Sequence, residues 1–170
     1  MSTSSSAGPT QSAKLGKYRE LVEDIREAML VTDDQKLGYP RARPMSTSNV
    51  GDDGSLWFFT KEDTAKVSEI YHDRKVCVAY SKPADKSYVS VSGKAELVDD
   101  PKLKKEFYSP LLDAWFDGPE DPEATLIKVT PHEVEYWDDN DSSLITMAKI
   151  AATAIAGGDY DTPENEKIEL

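Results

Sequence analysis

Arg41 and Arg43 stand two residues apart in the segment Gly38-Tyr39-Pro40-Arg41-Ala42-Arg43-Pro44-Met45. On a strand, that spacing sends both guanidinium groups out from one face, and a guanidinium is a planar fork that grips a phosphate bidentately. The aromatic run Leu56-Trp57-Phe58-Phe59-Thr60-Lys61 follows, and then Thr64-Ala65-Lys66. Thr60, Thr64 and Lys66 fall where a strand gives way to a helix, and helix N-termini attract phosphate. A phosphate with an aromatic or heterocyclic body is the ligand such a surface suits.

Other chemistries find less support. Two arginines on a strand are, taken alone, equally well read as solvated charges; the element from Thr60 to Lys66 tips them towards a binding site. Trp57, Phe58 and Phe59 are more often core than ligand stackers, because strand alternation sends only one face to the interior. His72 and His132 have no Cys or His partner at metal-ligand spacing. Cys77, between Val76 and Val78, reads as a buried structural thiol with no histidine base to activate it. There is no Gly-x-Ser-x-Gly elbow and no Gly-x-Gly-x-x-Gly turn after a strand.

Positioning these residues takes one domain. The 170 residues include 38% apolar and 31% charged side chains, ordinary for a globular chain. No apolar run approaches the roughly 20 residues of a membrane span, and no signal peptide opens the chain. A single cysteine fits a reducing cytoplasm. The net charge of −12 is uneven: residues 1–75 sum to −1 and residues 76–170 to −11, with every arginine in the first part. Such a field repels nucleic acid and anionic membranes, so an anion site has to be made locally, and the stretch from Arg41 to Lys66 is the place for it.

Residues 1–12 read as a disordered Ser/Thr-rich leader, 13–156 as the folded domain with flanking helices, and 157–170 as a loose acidic tail. Helical spacing of Tyr18, Leu21, Val22, Ile25, Ala28 and Met29 predicts a helix over 13–29, followed by a short strand at 29–32. Gly38 to Thr47 and Leu56 to Thr60 form a predicted hairpin around Asp52-Asp53-Gly54, with Pro44 marking a bulge or barrel edge. Asp63 or Thr64 caps a helix with Val67, Ile70 and Tyr71 on its apolar face. Strands follow at 76–80 and 88–97, where Gly93 suggests a bend, and a helix runs from Asp100-Pro101 to Tyr108. Two more strands, 126–130 and 134–137, flank Pro131-His132, and an Ala-rich helix covers 142–156. About six short strands with few helices between them argue for an antiparallel barrel.

Arg43-Pro44-Met45, Trp57-Phe58-Phe59-Thr60, Lys66, the strand Tyr88-Val89-Ser90-Val91-Ser92-Gly93-Lys94-Ala95-Glu96 and Glu135-Tyr136-Trp137 occur in this order. Over roughly Leu15 to Trp137, the chain resembles the general stress proteins of the pyridoxamine 5'-phosphate oxidase-like, flavin-binding split-barrel superfamily. The resemblance implies a mainly β fold, a six-stranded antiparallel split barrel with flanking helices. It also implies a homodimer with two FMN sites at its interface, FAD being an alternative cofactor. Arg43 takes the family's phosphate-binding position, with Thr60 and Lys66 facing the same phosphate and Thr64 standing where the oxidases have a phosphate-binding serine. The backbone of Pro44, Met45 and Phe59 passes along the ribityl chain and ring. Tyr88 stands where the oxidases have a ring-contacting glutamine. Trp137 matches a tryptophan brought from the second subunit, and Trp115 is a candidate for the same rim.

One departure bears on function. The oxidases follow the matched tryptophan with a basic Arg-Leu-His-Asp-Arg segment, whereas Trp137 here precedes Asp138-Asp139-Asn140-Asp141. A pyridoxamine phosphate would find no binder for its phosphate. The expected function is an FMN-binding cytoplasmic stress protein, either a flavin-dependent oxidoreductase or a binder without turnover. A deazaflavin- or haem-using relative of the barrel is the third option.

Overall fold

The computed structural model of the chain describes residues 10–138 and 166–170. Its first element, helix α1 (Gln11–Ile25), is capped by Thr10, whose side chain accepts from the Ala13 N–H at 3.3 Å. Tyr18, Leu21 and Val22 form its buried stripe. The helix thus starts two residues earlier than expected and stops four earlier. Arg26, at φ +60°, ends it, and Ala28 and Met29 join strand β1 (Glu27–Asp34) instead. Their helical spacing misleads because Ala28 also fits the strand's alternation, in which Ala28, Leu30, Thr32 and Asp34 turn inward.

Next come β2 (Tyr39–Val50), β3 (Leu56–Lys61), helix α2 (Ala65–His72), β4 (Lys75–Lys82) and β5 (Ser87–Val98). Helix α3 (Pro101–Phe107), capped by Asp100, leads to β6 (Ala124–Asp138) and β7 (Glu166–Glu169). All pairings are antiparallel, in the order β3-β2-β1-β4-β5-β6-β7, and β3 also pairs with β6. That last pairing closes the six-stranded barrel the sequence predicts.

Two expectations about the C-terminal half need correction. The segments 126–130 and 134–137 are one continuous strand, β6, because Pro131 is absorbed by a register shift opposite Ser92 and Gly93. The end of the chain is not a loose tail, since 166–169 form β7 on β6 and Ile168 is buried. Lys14 pairs with Glu166, and Gln11 donates to the Glu169 carbonyl at 2.8 Å, so β7 also anchors α1. The predicted helix at 142–156 lies outside the described residues. Ile168→Ala should lower stability by about 2–4 kcal/mol in urea unfolding, the usual cost of truncating a buried aliphatic side chain. A loss below about 0.5 kcal/mol would mean that β7 contributes no packing.

The interior divides at β3, which buries both faces. Leu56 and Phe58 point into the barrel with Leu30, Val78, Val91 and Val129. Trp57 and Phe59 point the other way, into a second cluster with Phe116 and Leu126. There Phe107 lies 5.3 Å from the Trp57 ring and Tyr108 meets Phe59 edge-on at 5.6 Å. The expectation that one face of this trio stays outside fails because α3 and the 3-10 turn at Pro110–Ala114 supply a second core.

Candidate functional site

The barrel is closed along five ladders and split along the sixth. Strand β2 meets β3 only between Thr47–Val50 and Leu56–Phe58, with a register shift between Thr47 and Asn49. Among the described residues, β2 pairs with β1 alone from Ser46 back to Tyr39, and Phe59 to Lys61 pair with β6 alone. The Thr47 N–H bonds to the Arg26 carbonyl in phase with the β1 ladder. By alternation, Pro40, Ala42, Pro44 and Ser46 turn their backbone groups to the split. Pro44 therefore sits on a barrel edge, as predicted, and two of these four positions lack an N–H. Across the split, the Glu62 N–H bonds to the Glu123 carbonyl in phase with β6, which leaves the Phe59 N–H and carbonyl facing the gap.

Arg43 stands at the rim of this split, held by two short contacts to partners that are themselves hydrogen-bonded. Its Nη1 donates to Thr32 Oγ1 at 2.6 Å, its Nη2 donates to Glu69 Oε1 at 2.6 Å, and Thr32 Oγ1 donates to Glu69 Oε2 at 2.6 Å. Strand β1 thus supplies the hydroxyl and α2 the carboxylate. Thr32 and Glu69 are both buried. The guanidinium is fixed by one edge, and its Nε–H has no acceptor among the described residues.

Lys66 lies one turn before Glu69 on α2 and is half-buried. Burial lowers its pKa, the neighbouring Arg43 pushes the same way, and Glu69 opposes them. No ion pair engages Lys66 among the described residues. Arg43 and Lys66 therefore make a local cationic pair against a single carboxylate. Arg41, further along the same face, pairs with Asp34 at 3.2 Å. The Asp34 carboxyl is held below the usual range, first by the Leu37 N–H and then by Arg41 and the Lys36 N–H.

Thr60 is the buried last inward residue of β3, and Thr64 is the N-cap of α2. The Thr64 hydroxyl does not cap the helix as expected: it donates to the Lys61 carbonyl at 3.0 Å. That carbonyl also accepts from Thr60 Oγ1 at 3.3 Å. On α2, Val67 and Ile70 are buried as predicted, but Tyr71 is exposed, and the inward place it was given belongs to Glu69. Glu69 escapes sequence reading although it had a signal: a carboxylate bracketed by inward Val67 and Ile70 needs a buried cation.

The remaining residues lie elsewhere. Met45 points into the barrel, exposed Pro44 lies beside it, and the Phe59 ring belongs to the second core. Tyr88 and Trp137 are cross-strand partners on the outer face of β5 and β6. Trp115 is 65% exposed after the 3-10 turn. Among the described residues of one chain, Arg43 has no hydrogen bond or cation–π contact with any of these three. Cys77 is half-buried, 3.8 Å from Ser90 Oγ, and not fully buried as expected. A hollow of about 540 Å³ lined by Lys61, Glu62, Asp63, Pro122 and Glu123 is no substitute, because Lys61 is taken by Glu123 at 2.8 Å and the carboxylates would repel a phosphate. Among the described residues, no group of three or more His, Cys, Asp or Glu could hold a metal ion, and no helix is long and apolar enough to cross a membrane.

The sequence model for proteins described as pyridoxamine 5'-phosphate oxidase like matches residues 13–161. The chain belongs to the pyridoxamine 5'-phosphate oxidase-like family. Among relatives of this family member, protein bli-3 of Neurospora crassa is 29% identical over 154 residues, covering 85% of this chain and 74% of that protein. General stress protein 26 of Bacillus subtilis is 25% identical, covering 74% of this chain and 96% of its own length. The crystal structure of the general stress FMN/FAD binding protein from Xanthomonas citri superposes with a TM-score of 0.66 at 27% identity, covering 78% of this chain and 93% of that one. The split barrel and the kinship with general stress proteins are those the sequence resemblance implied.

Proposed function

We propose that the protein is a flavin-binding general stress protein that holds FMN, or FAD in its place, with the phosphate on Arg43 and Lys66. The observation that carries this reading is the guanidinium of Arg43, clamped by Thr32 and Glu69 at the mouth of the split beside Lys66, which no ion pair engages among the described residues. Thr60 and Thr64 stand on the adjoining turn, where their hydroxyls donate to the Lys61 carbonyl and reach a phosphate by turning from it. The Phe59 backbone and the acceptor-rich β2 edge at Pro44 offer main-chain partners to a ligand lying in the gap. Family membership supports the same ligand class. A bound flavin supplies redox chemistry through its ring, and this chain's residues bind and orient it. The activity that follows is that of a cytoplasmic flavin-dependent oxidoreductase other than a pyridoxamine phosphate oxidase.

A homodimer completes the site in this reading. The outer barrel face exposes the cross-strand partners Met29 and Pro44 and, across β4, Tyr88, apolar side chains of the kind that mark protein contacts. Tyr88, Trp115 and Trp137 then serve a site at the interface, Trp137 serving that of the opposite subunit.

Equilibrium dialysis with FMN tests the cofactor: retention at micromolar protein with a shifted flavin spectrum is expected, and no retention refutes the proposal. Rapid reduction by NADH or NADPH followed by transfer to an acceptor would establish turnover, and its absence would leave a flavin binder. Lys66→Ala should weaken FMN about tenfold, equivalent to ~1.4 kcal/mol for one charge-assisted contact, and leave riboflavin unchanged. Equal losses for both ligands would remove Lys66 from the phosphate.

A further inference from the structure

Tyr39, Arg41 and Arg43 share one face of β2, running from the barrel rim to the tip of the β1–β2 hairpin. Contacts with β1 fix that face: Arg41 reaches Asp34 and Arg43 reaches Thr32, both inward residues of β1. The Cα partners of Arg41 and Arg43 are Thr32 and Leu30, so both side chains lean towards the hairpin tip. Alternate residues of an antiparallel strand are about 7 Å apart, so the two guanidinium groups follow one another along the rim. Beyond them, Tyr39 is 73% exposed.

The two arginines are held differently. Arg43 is locked to a buried carboxylate. The Arg41 side chain is 51% exposed, and its partner Asp34 also accepts from the N–H groups of Lys36 at 3.1 Å and Leu37 at 3.2 Å. If Arg41 swings away, the buried Asp34 carboxylate keeps those two N–H donors. Arg41 is thus a cation free to turn to a ligand, next in line after Arg43.

We propose that Arg41 and Tyr39 form a second subsite that takes the distal phosphate and the base of a dinucleotide, so that this site binds FAD more tightly than FMN. The proposal rests on the flavin reading of Arg43 and Lys66. A second phosphate linked to the first falls within the sweep of the Arg41 side chain, and a planar base stacks on the open Tyr39 ring. Such stacking contributes ~1–3 kcal/mol per base. In a chain of net charge −12, added negative charge needs a cation close at hand. A mononucleotide would leave Arg41 on Asp34 and Tyr39 in solvent.

The test is titration of the full chain, freed of flavin, with FMN and with FAD, in wild type, Arg41→Ala and Tyr39→Ala. The readout is the ratio of FAD to FMN affinity, which cancels losses that the two ligands share. Wild type should favour FAD, the ratio should fall at least threefold in each variant, and Arg41→Lys should recover part of it. A ratio moving less than threefold in either variant, or no preference for FAD in wild type, overturns the subsite while FMN binding survives. If wild type retains neither flavin, the flavin reading falls, and the subsite with it.

Discussion

Arg43→Ala should lower the stability of the ligand-free fold by about 3–5 kcal/mol, the usual cost of removing one partner of a buried ion pair. Glu69 is 8% exposed, and both its oxygens are used, one by Arg43 and one by the Thr32 hydroxyl. Without the guanidinium, that carboxylate keeps one neutral hydrogen bond in a site sealed by β1 and α2. The double variant Arg43→Ala/Glu69→Ala should recover at least half of the loss, because the stranded charge disappears with its partner. Urea unfolding of the two single variants and the double closes the cycle. A single-variant loss under 1 kcal/mol, or a double variant no better than the single, would show that the pair does not hold the rim. The comparison also separates two roles, since phosphate binding by Arg43 is read in the double variant, where the fold is intact. There, FMN should still bind at least tenfold more weakly than to wild type, while riboflavin is unaffected.

The second large effect is expected at Gly93. A Cβ built there lies 2.3 Å from the Thr130 carbonyl oxygen and 3.0 Å from Pro131 Cα, both backbone atoms of β6. No side chain can rotate out of the way, so Gly93→Ala must force β5 and β6 apart at the bulge, at a cost of about 3 kcal/mol or more. Gly16, in the middle of α1, is the control: nothing lies within 4 Å of its added Cβ. Gly16→Ala should stabilise the fold by about 0.5–1 kcal/mol through helix propensity. Thermal and urea midpoints of the two variants should move in opposite directions. Gly93→Ala within 1 kcal/mol of wild type would mean that the bulge yields easily.

The barrel was legible in the sequence because its signals are local. Alternation at Val89, Val91 and Ala95, the turn at Asp52-Asp53-Gly54 and the proline at an edge position each follow from neighbours a few residues away. What stayed hidden depends on distant pairing. Pro131 looked like a break, since only the shift opposite Gly93, some forty residues earlier, lets the strand run through it. The last residues looked like a solvated acidic tail, and Ile168 alone could not announce a strand on β6. At the candidate site, Arg43 and Lys66 were visible as residue types at a strand and a helix start. The carboxylate that sets the guanidinium was not, because Glu69 meets Arg43 only after α2 folds onto β1.

The unpaired edge of β2 carries a further consequence, for solubility. A strand with one bare edge is a template on which another chain can build a cross-strand ladder, and among the described residues this one runs bare for eight residues from Tyr39 to Ser46. Pro40 and Pro44 remove every second donor from that edge, so an incoming strand would find acceptors without alternating N–H groups and could not complete a regular ladder. The gap can thus stay open to a small ligand while refusing a polypeptide. Replacing both prolines would trade that protection for a continuous row of hydrogen-bonding groups.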